Sequence, residues 1–195
     1  MVLRKSNLLS NFLPPSQTGT FGSVLADSNH AGIDFCAPQG TSVPCLMDGY
    51  VAKIAKYKDT GSAESLLSGS YYMITISIPS NLAIVYTGLT SDVIKDFKIY
   101  QTIRRGKSIG KINSPDNRYK DLPVFPLHIQ AYEADKISIP NWEHAHWELN
   151  QPKPEALLNP STVIPEIFLY FKAIEEAQSI LSDTNDENEM ETQTI

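Results

Sequence analysis

Short apolar runs separated by Pro-, Gly- and Asn-containing turns fill most of the first 150 positions. Residues 33–54 hold two strand-like runs split by the turn Pro38-Gln39-Gly40-Thr41, and Asp48-Gly49 turns the chain again into Tyr50-Val51-Ala52-Lys53-Ile54. Residues 57–70 are polar with interspersed Gly and Ser, the composition of a loop. Runs 71–78 and 82–89 are rich in β-branched and aromatic residues and meet at Pro79-Ser80-Asn81, which predicts a hairpin. Further short strands are predicted at 99–103, 127–132 and 145–149, whereas the prolines and polar residues of 113–126 read as loop. Helical periodicity is convincing in one place. From Pro165, a residue suited to a first helical turn, Ile167, Phe168, Phe171, Ile174, Ala177 and Leu181 recur at helical spacing. That stripe predicts an amphipathic helix packed on the sheet or on a protein partner.

The pattern therefore predicts a mainly β fold, an antiparallel β-sandwich or flattened barrel with one C-terminal helix. Its parts are an irregular N-terminal arm (1–28), a β domain (29–162), the helix (163–182) and a disordered acidic tail (183–195). A length of 195 residues suits one domain with a sizeable core. The net charge of −6 sits almost wholly in the tail, on Asp183, Asp186, Glu187, Glu189 and Glu191, so the rest of the chain is nearly neutral. It lacks the basic footprint of a nucleic-acid binder. The basic cluster Arg104, Arg105, Lys107 and Lys111 reads as a solvated turn, and Cys36 and Cys45 as two small buried thiols. No stretch is apolar and long enough to span a bilayer, and none serves as a secretory signal. The expected location is the cell envelope or outside if a leader has been removed, and otherwise the cytoplasm.

Three of the four histidines fall into two tight spacings, His144-Ala145-His146 and His30-Ala31-Gly32-Ile33-Asp34. Two histidines two residues apart on a strand project from one face, so they can aim both rings into one pocket. A straight strand would carry Asp34 roughly 13 Å from His30, too far to share an ion, but Gly32 lets the chain bend between them. With His146 they would form a two-histidine, one-carboxylate set with a fourth position open, the way catalytic zinc is held. Water on such an ion reaches a pKa of about 7, and His144 beside it can act as general base.

The flanking residues strengthen this. His30-Ala31-Gly32-Ile33-Asp34-Phe35, Ala37-Pro38-Gln39-Gly40-Thr41, Asp48-Gly49-Tyr50-Val51, Arg105-Gly106-Lys107-Ser108-Ile109-Gly110, His144-Ala145-His146-Trp147-Glu148 and Asn159-Pro160 come in an order and spacing that resemble the lysostaphin-type zinc metallopeptidases. The resemblance runs over roughly two thirds of the chain, 29–160. It implies an antiparallel β structure with a groove over the metal site, Zn2+ held by His30, Asp34 and His146, and His144 as general base. The implied activity is hydrolysis of peptide cross-links in bacterial peptidoglycan, with a zinc-bound water as nucleophile.

Two departures qualify that activity. Where the family has a Y-x-H-L element whose histidine stabilises the transition state, this chain has Tyr86-Thr87-Gly88-Leu89. Losing such a donor costs on the order of 10²–10³ in rate. The stretch before His144 is also longer than the family's, implying an insertion at about 113–143 that contains His128. This fourth histidine has three readings. It replaces the function missing at Gly88; or 127–130 is a degraded form of the H-x-H strand, with Pro126 at its first histidine and His128 as metal ligand; or it is structural. The functional expectations are accordingly a zinc endopeptidase or, as alternative, a catalytically impaired module that binds wall peptides, another peptide or a partner hydrolase. A phosphocarrier-like module is disfavoured by Asp34 beside His30.

Overall fold

The computed structural model describes residues 7–25, 28–59, 69–113, 125–136 and 147–191. After a 3-10 turn at Gln17–Gly19 come β1 (Ser28–Asn29), β2 (Ile33–Ala37), β3 (Ser42–Pro44) and β4 (Gly49–Asp59). The hairpin β5 (Gly69–Ile78) and β6 (Leu82–Leu89) follows, with Asn81 at φ 64 in its tight turn. Next come α1 (Asp92–Asp96), β7 (Thr102–Ile103), β8 (Ser108–Lys111) and β9 (Phe125–Glu133). The chain ends with β10 (Trp147–Glu148), β11 (Leu157–Leu158), α2 (Pro160–Val163) and α3 (Pro165–Glu191).

The mainly antiparallel architecture and single long helix are as the pattern predicts. Strands run in the order β11-β9-β6-β5-β4-β7, with β2 also paired to β9, as one open seven-stranded sheet rather than a closed barrel. Two small sheets, β1 with β10 and β3 with β8, flank it. The region read as an insertion, 113–143, contains β9, and β9 is a central strand: it pairs with β2 and β11 on one edge and with β6 on the other. All but its last residue are buried. The strand itself is readable from the alternation over 127–132, but its central place depends on pairing with β2, β11 and β6, which local sequence does not record.

Alternation along the strands sends side chains to two faces. On one, Ile33, Phe35, Ile74, Ile76, Ile84, Tyr86, Leu127 and Ile129 belong to the main core, onto which α3 packs through Ile167, Tyr170 and Phe171. Phe35 meets Tyr170 edge-on at 5.4 Å, and the Tyr170 hydroxyl donates to the Phe12 carbonyl at 2.8 Å, so the helix also holds the N-terminal arm. Full burial of a side chain such as Phe35 stabilises by about 1.5–3 kcal/mol. On the other face Ala83, Val85, Met73, Tyr132 and Leu157 form a smaller cluster beside buried Thr75, Ser77, Thr87, His128 and Gln130. This polar face includes His128 and its strand partner Asp34.

α3 continues to Glu191 instead of ending near Ser182, since the acidic stretch contains no Gly or Pro to stop it. Among the described residues no helix is long and apolar enough to cross a membrane. At the start of α3, buried Glu166 accepts the Leu8 N–H at 2.6 Å and pairs with the Arg105 guanidinium, tying the arm, the β7–β8 turn and the helix together. Glu166→Ala strands that buried amide and releases the arm. It is expected to lower unfolding free energy by about 1–3 kcal/mol, read as an earlier urea midpoint; an unchanged midpoint would show that this junction contributes nothing.

Candidate metal centre

His30 follows β1 and is fixed at both ends of its peptide unit: its N–H donates to Ser23 O and its carbonyl accepts from Gly22 N, each at 2.8 Å. The chain then bends through Gly32, bringing the His30 ring back over β2 and to 3.3 Å from Asp34 Oδ1. Asp34 and His128 are direct cross-strand partners in the β2–β9 ladder, so their side chains leave the same face side by side. His128 Nδ1 lies 2.6 Å from Asp34 Oδ1 and 3.2 Å from His30 Nε2. A Cβ on Gly32 would stand 2.7 Å from the His128 ring and 2.5 Å from the Ile129 carbonyl, so only glycine leaves room for this convergence.

His30 Nε2, Asp34 Oδ1 and His128 Nδ1 thus form a compact triangle of mutually close donor atoms, all three residues being largely buried. Ligands of a four-coordinate zinc ion stand about 3.3 Å apart at bonds of 2.0–2.1 Å; the two edges from His30, at 3.3 and 3.2 Å, match that spacing, while Asp34 and His128, at 2.6 Å, are hydrogen-bonded to each other. The far nitrogen of His30 lies 3.0 Å from the Thr20 carbonyl, which selects the tautomer with Nδ1–H and leaves Nε2 with its lone pair toward the cluster. Thr87, opposite His128 on β6, has a buried hydroxyl with no hydrogen-bond partner among the described residues. A polar group held at the cluster can satisfy it.

Electrostatics point the same way. Burial alone would raise the Asp34 pKa, but the charges and hydrogen bonds of His128 and His30 outweigh it and hold the carboxyl well below the usual carboxylate range. Burial also disfavours a charged His30, yet Asp34 and the Thr20 carbonyl overcome it and raise that pKa. For His128 burial prevails over Asp34, and the pKa is lowered. A carboxylate whose pKa is lowered between two imidazoles offers the oxygen and nitrogen donors that a divalent cation of the zinc class takes.

Of the residues singled out from sequence, the structure brings together His30, Asp34 and His128. His144 and His146 lie outside the described residues. Trp147, next in the chain, pairs with Asn29, the residue before His30. Pro126 stands two residues before His128 on β9, and Gly88 sits beside it: a Cβ at Gly88 would be 2.5 Å from the Pro126 carbonyl oxygen, and its φ is +94°. The readable signal for His128 was its spacing, with His128, Gln130 and Tyr132 alternating against Leu127, Ile129 and Ala131; the H-x-H at 144–146 is the more conspicuous local motif.

The lowered Asp34 pKa sets a pH dependence. A carboxyl with a folded-state pKa below its unfolded value near 3.9 adds stability that is present above that value and lost as pH falls through the folded one. Metal-free protein should therefore lose urea resistance below about pH 4, and Asp34→Asn should flatten this acid slope. Equal slopes for the two proteins would mean that the cluster does not hold the carboxylate ionised.

No protein-family model matches the sequence, and no curated protein matches it either. Solved structures do match. Over 82% of this chain and 52% of the other, the solution structure of lysostaphin gives a TM-score of 0.53 at 16% identity. The antimicrobial peptidase lysostaphin from Staphylococcus simulans gives 0.50 at 16% identity over the same shares. Its catalytic domain alone gives 0.50 at 18% identity, over 80% of this chain and 95% of that domain. The chain thus spans about half the length of the longer lysostaphin chains and nearly all of the catalytic domain. At these identities the likeness speaks for architecture: this chain has the lysostaphin-type peptidase fold.

Proposed function

We propose that the chain is a zinc-binding module of the lysostaphin-type fold that holds the peptide cross-links of bacterial cell walls and has lost most or all hydrolytic power. One observation carries the reading. Asp34 and His128 face each other with His30 above them, while Gly88 stands where the resembled family has its transition-state histidine and Pro126, with 127–130 taken as the degraded H-x-H strand, stands at that strand's first histidine. His30, Asp34 and His128 would hold the ion, which when bound supplies a Lewis acid able to polarise a peptide carbonyl. Proline and glycine carry no titratable group, so neither position can take a proton from an attacking water or give one to a leaving amine. The site of action under this reading is the cell wall.

A second reading retains hydrolysis. There His144 acts as general base and His146 completes the ligand set with His30 and Asp34, giving a zinc endopeptidase of peptidoglycan cross-links. The β1–β10 pairing favours it, since Trp147 lies beside Asn29 and His146 is one peptide from Trp147.

Zinc titration separates the two. Second-sphere partners alone change metal affinity by about 10–100-fold, so His128→Ala is expected to weaken zinc binding by more than about a hundredfold while His146→Ala leaves it within a few-fold. The reverse pattern would overturn the ligand set proposed first. Incubation of zinc-loaded protein with peptidoglycan is expected to release no new amino groups, while the protein still sediments with the wall material. Metal-dependent release abolished by His144→Ala would establish the endopeptidase instead.

A further inference from the structure

Three non-glycine residues among those described have positive φ: Asn81, Asn150 and Tyr100. Asparagine tolerates this region because its short side chain bonds locally, whereas a bulky residue there is strained. Tyr100, at φ 68, gains little packing in return, for it is 74% exposed. Its backbone is held firmly. Tyr100 N donates to Val51 O at 2.7 Å, Val51 N to Gln101 O at 2.9 Å, and Gln101 N closes a turn on Lys98 O at 3.1 Å. The one ring it meets is Tyr50, at 6.4 Å between centroids and 38° between planes. Strain maintained around an exposed side chain points to a use for that side chain.

Its position suggests the use. Tyr50 pairs with Ser77, Ser77 with Ala83 and Ala83 with Tyr132, and Tyr132 lies four residues along β9 from His128 on the same face. Tyr50 packs on the smaller core cluster of that face. The sheet face that begins at the metal cluster therefore ends in two tyrosine rings at the β4–β7 edge.

We infer that Tyr50 and Tyr100 form a stacking platform for a pyranose ring of a neutral oligosaccharide. A pyranose has an apolar face of C–H groups ringed by hydroxyls. It gains by lying flat on an open aromatic ring while its rim stays hydrated. An apolar peptide side chain needs a concave site that encloses it, and the exposed Tyr100 ring, tilted against half-buried Tyr50, does not provide one. Thr102, exposed and paired with Tyr50 on β7, adds a hydroxyl beside the platform. The inference extends the wall-binding reading from the peptide to the glycan that bears it, and rests on that reading only for the ligand's origin.

The test uses the full chain, with and without zinc, titrated with the β-1,4-linked tetramer of N-acetylglucosamine and, in parallel, with a proline-rich peptide. Saturable binding of the tetramer is expected, unchanged by zinc or by His128→Ala, so that failure here is separable from failure of the metal reading. Tyr100→Phe should bind within about twofold of wild type, whereas Tyr100→Asn should lose at least tenfold. Tyr100→Asn should also keep or raise Tm, because asparagine accepts the backbone conformation. Absence of tetramer binding, undiminished binding by Tyr100→Asn, or a lowered Tm in that variant would each overturn the proposal, the last by making the ring a structural prop. Binding of the proline-rich peptide in place of the tetramer would overturn it in favour of a peptide-docking edge.

Discussion

Antiparallel pairing of β2 with β9 sets Asp34 directly opposite His128, and the geometry of the His30–Asp34–His128 cluster follows from that register. Side chains alternate with period two, so a slip of one residue would send Asp34 and His128 into the apolar core and bring Ile33, Phe35, Leu127 and Ile129 out. The register is enforced by those four residues, each almost fully buried against the helix-covered face. The strand that supplies a charged ligand is held in place by the greasy residues between its polar ones. Because β9 is also bonded to β6 along its other edge, its position is set from both sides.

Close packing of backbone completes the cluster. The sharp return of the chain after His30 requires a residue without a side chain at 32, and the contact of β6 with β9 requires the same at 88. The second requirement has a chemical consequence. Gly88 is not a vacant place into which a histidine could be restored, because the Pro126 carbonyl occupies the space its Cβ would need. Burial of the Asp34 carboxylate between two imidazoles is costly without a partner charge, and a bound cation offsets that cost more fully than a shared proton.

The two ends of the polar face have different chemistry. Near β2 it is charged, compact and shielded, while at the β4–β7 edge it is aromatic and open, with Tyr100 held in a conformation that proline-free, glycine-free turns seldom adopt. Between them run Thr75, Ser77 and Ala83, small or hydroxylated and buried.

Most strands were legible because their apolar residues alternate or cluster between turn residues: the β5–β6 hairpin around Pro79-Ser80-Asn81 and the helix from Pro165 are where the pattern puts them. His30 and Asp34 were equally legible, since glycine two residues after a histidine and two before an aspartate announces a bend that joins them. β9 was legible as a strand but not as a central one, because its central place depends on pairing with β2, β11 and β6. The amino-acid order by itself determined which segments extend, where the helix begins and which residues can bind a cation, because those properties depend on local periodicity and side-chain chemistry. That His128 stands beside Asp34 was decided only by tertiary structure: it depends on strand pairing across more than ninety residues, and no local pattern records which distant strand a buried edge will accept.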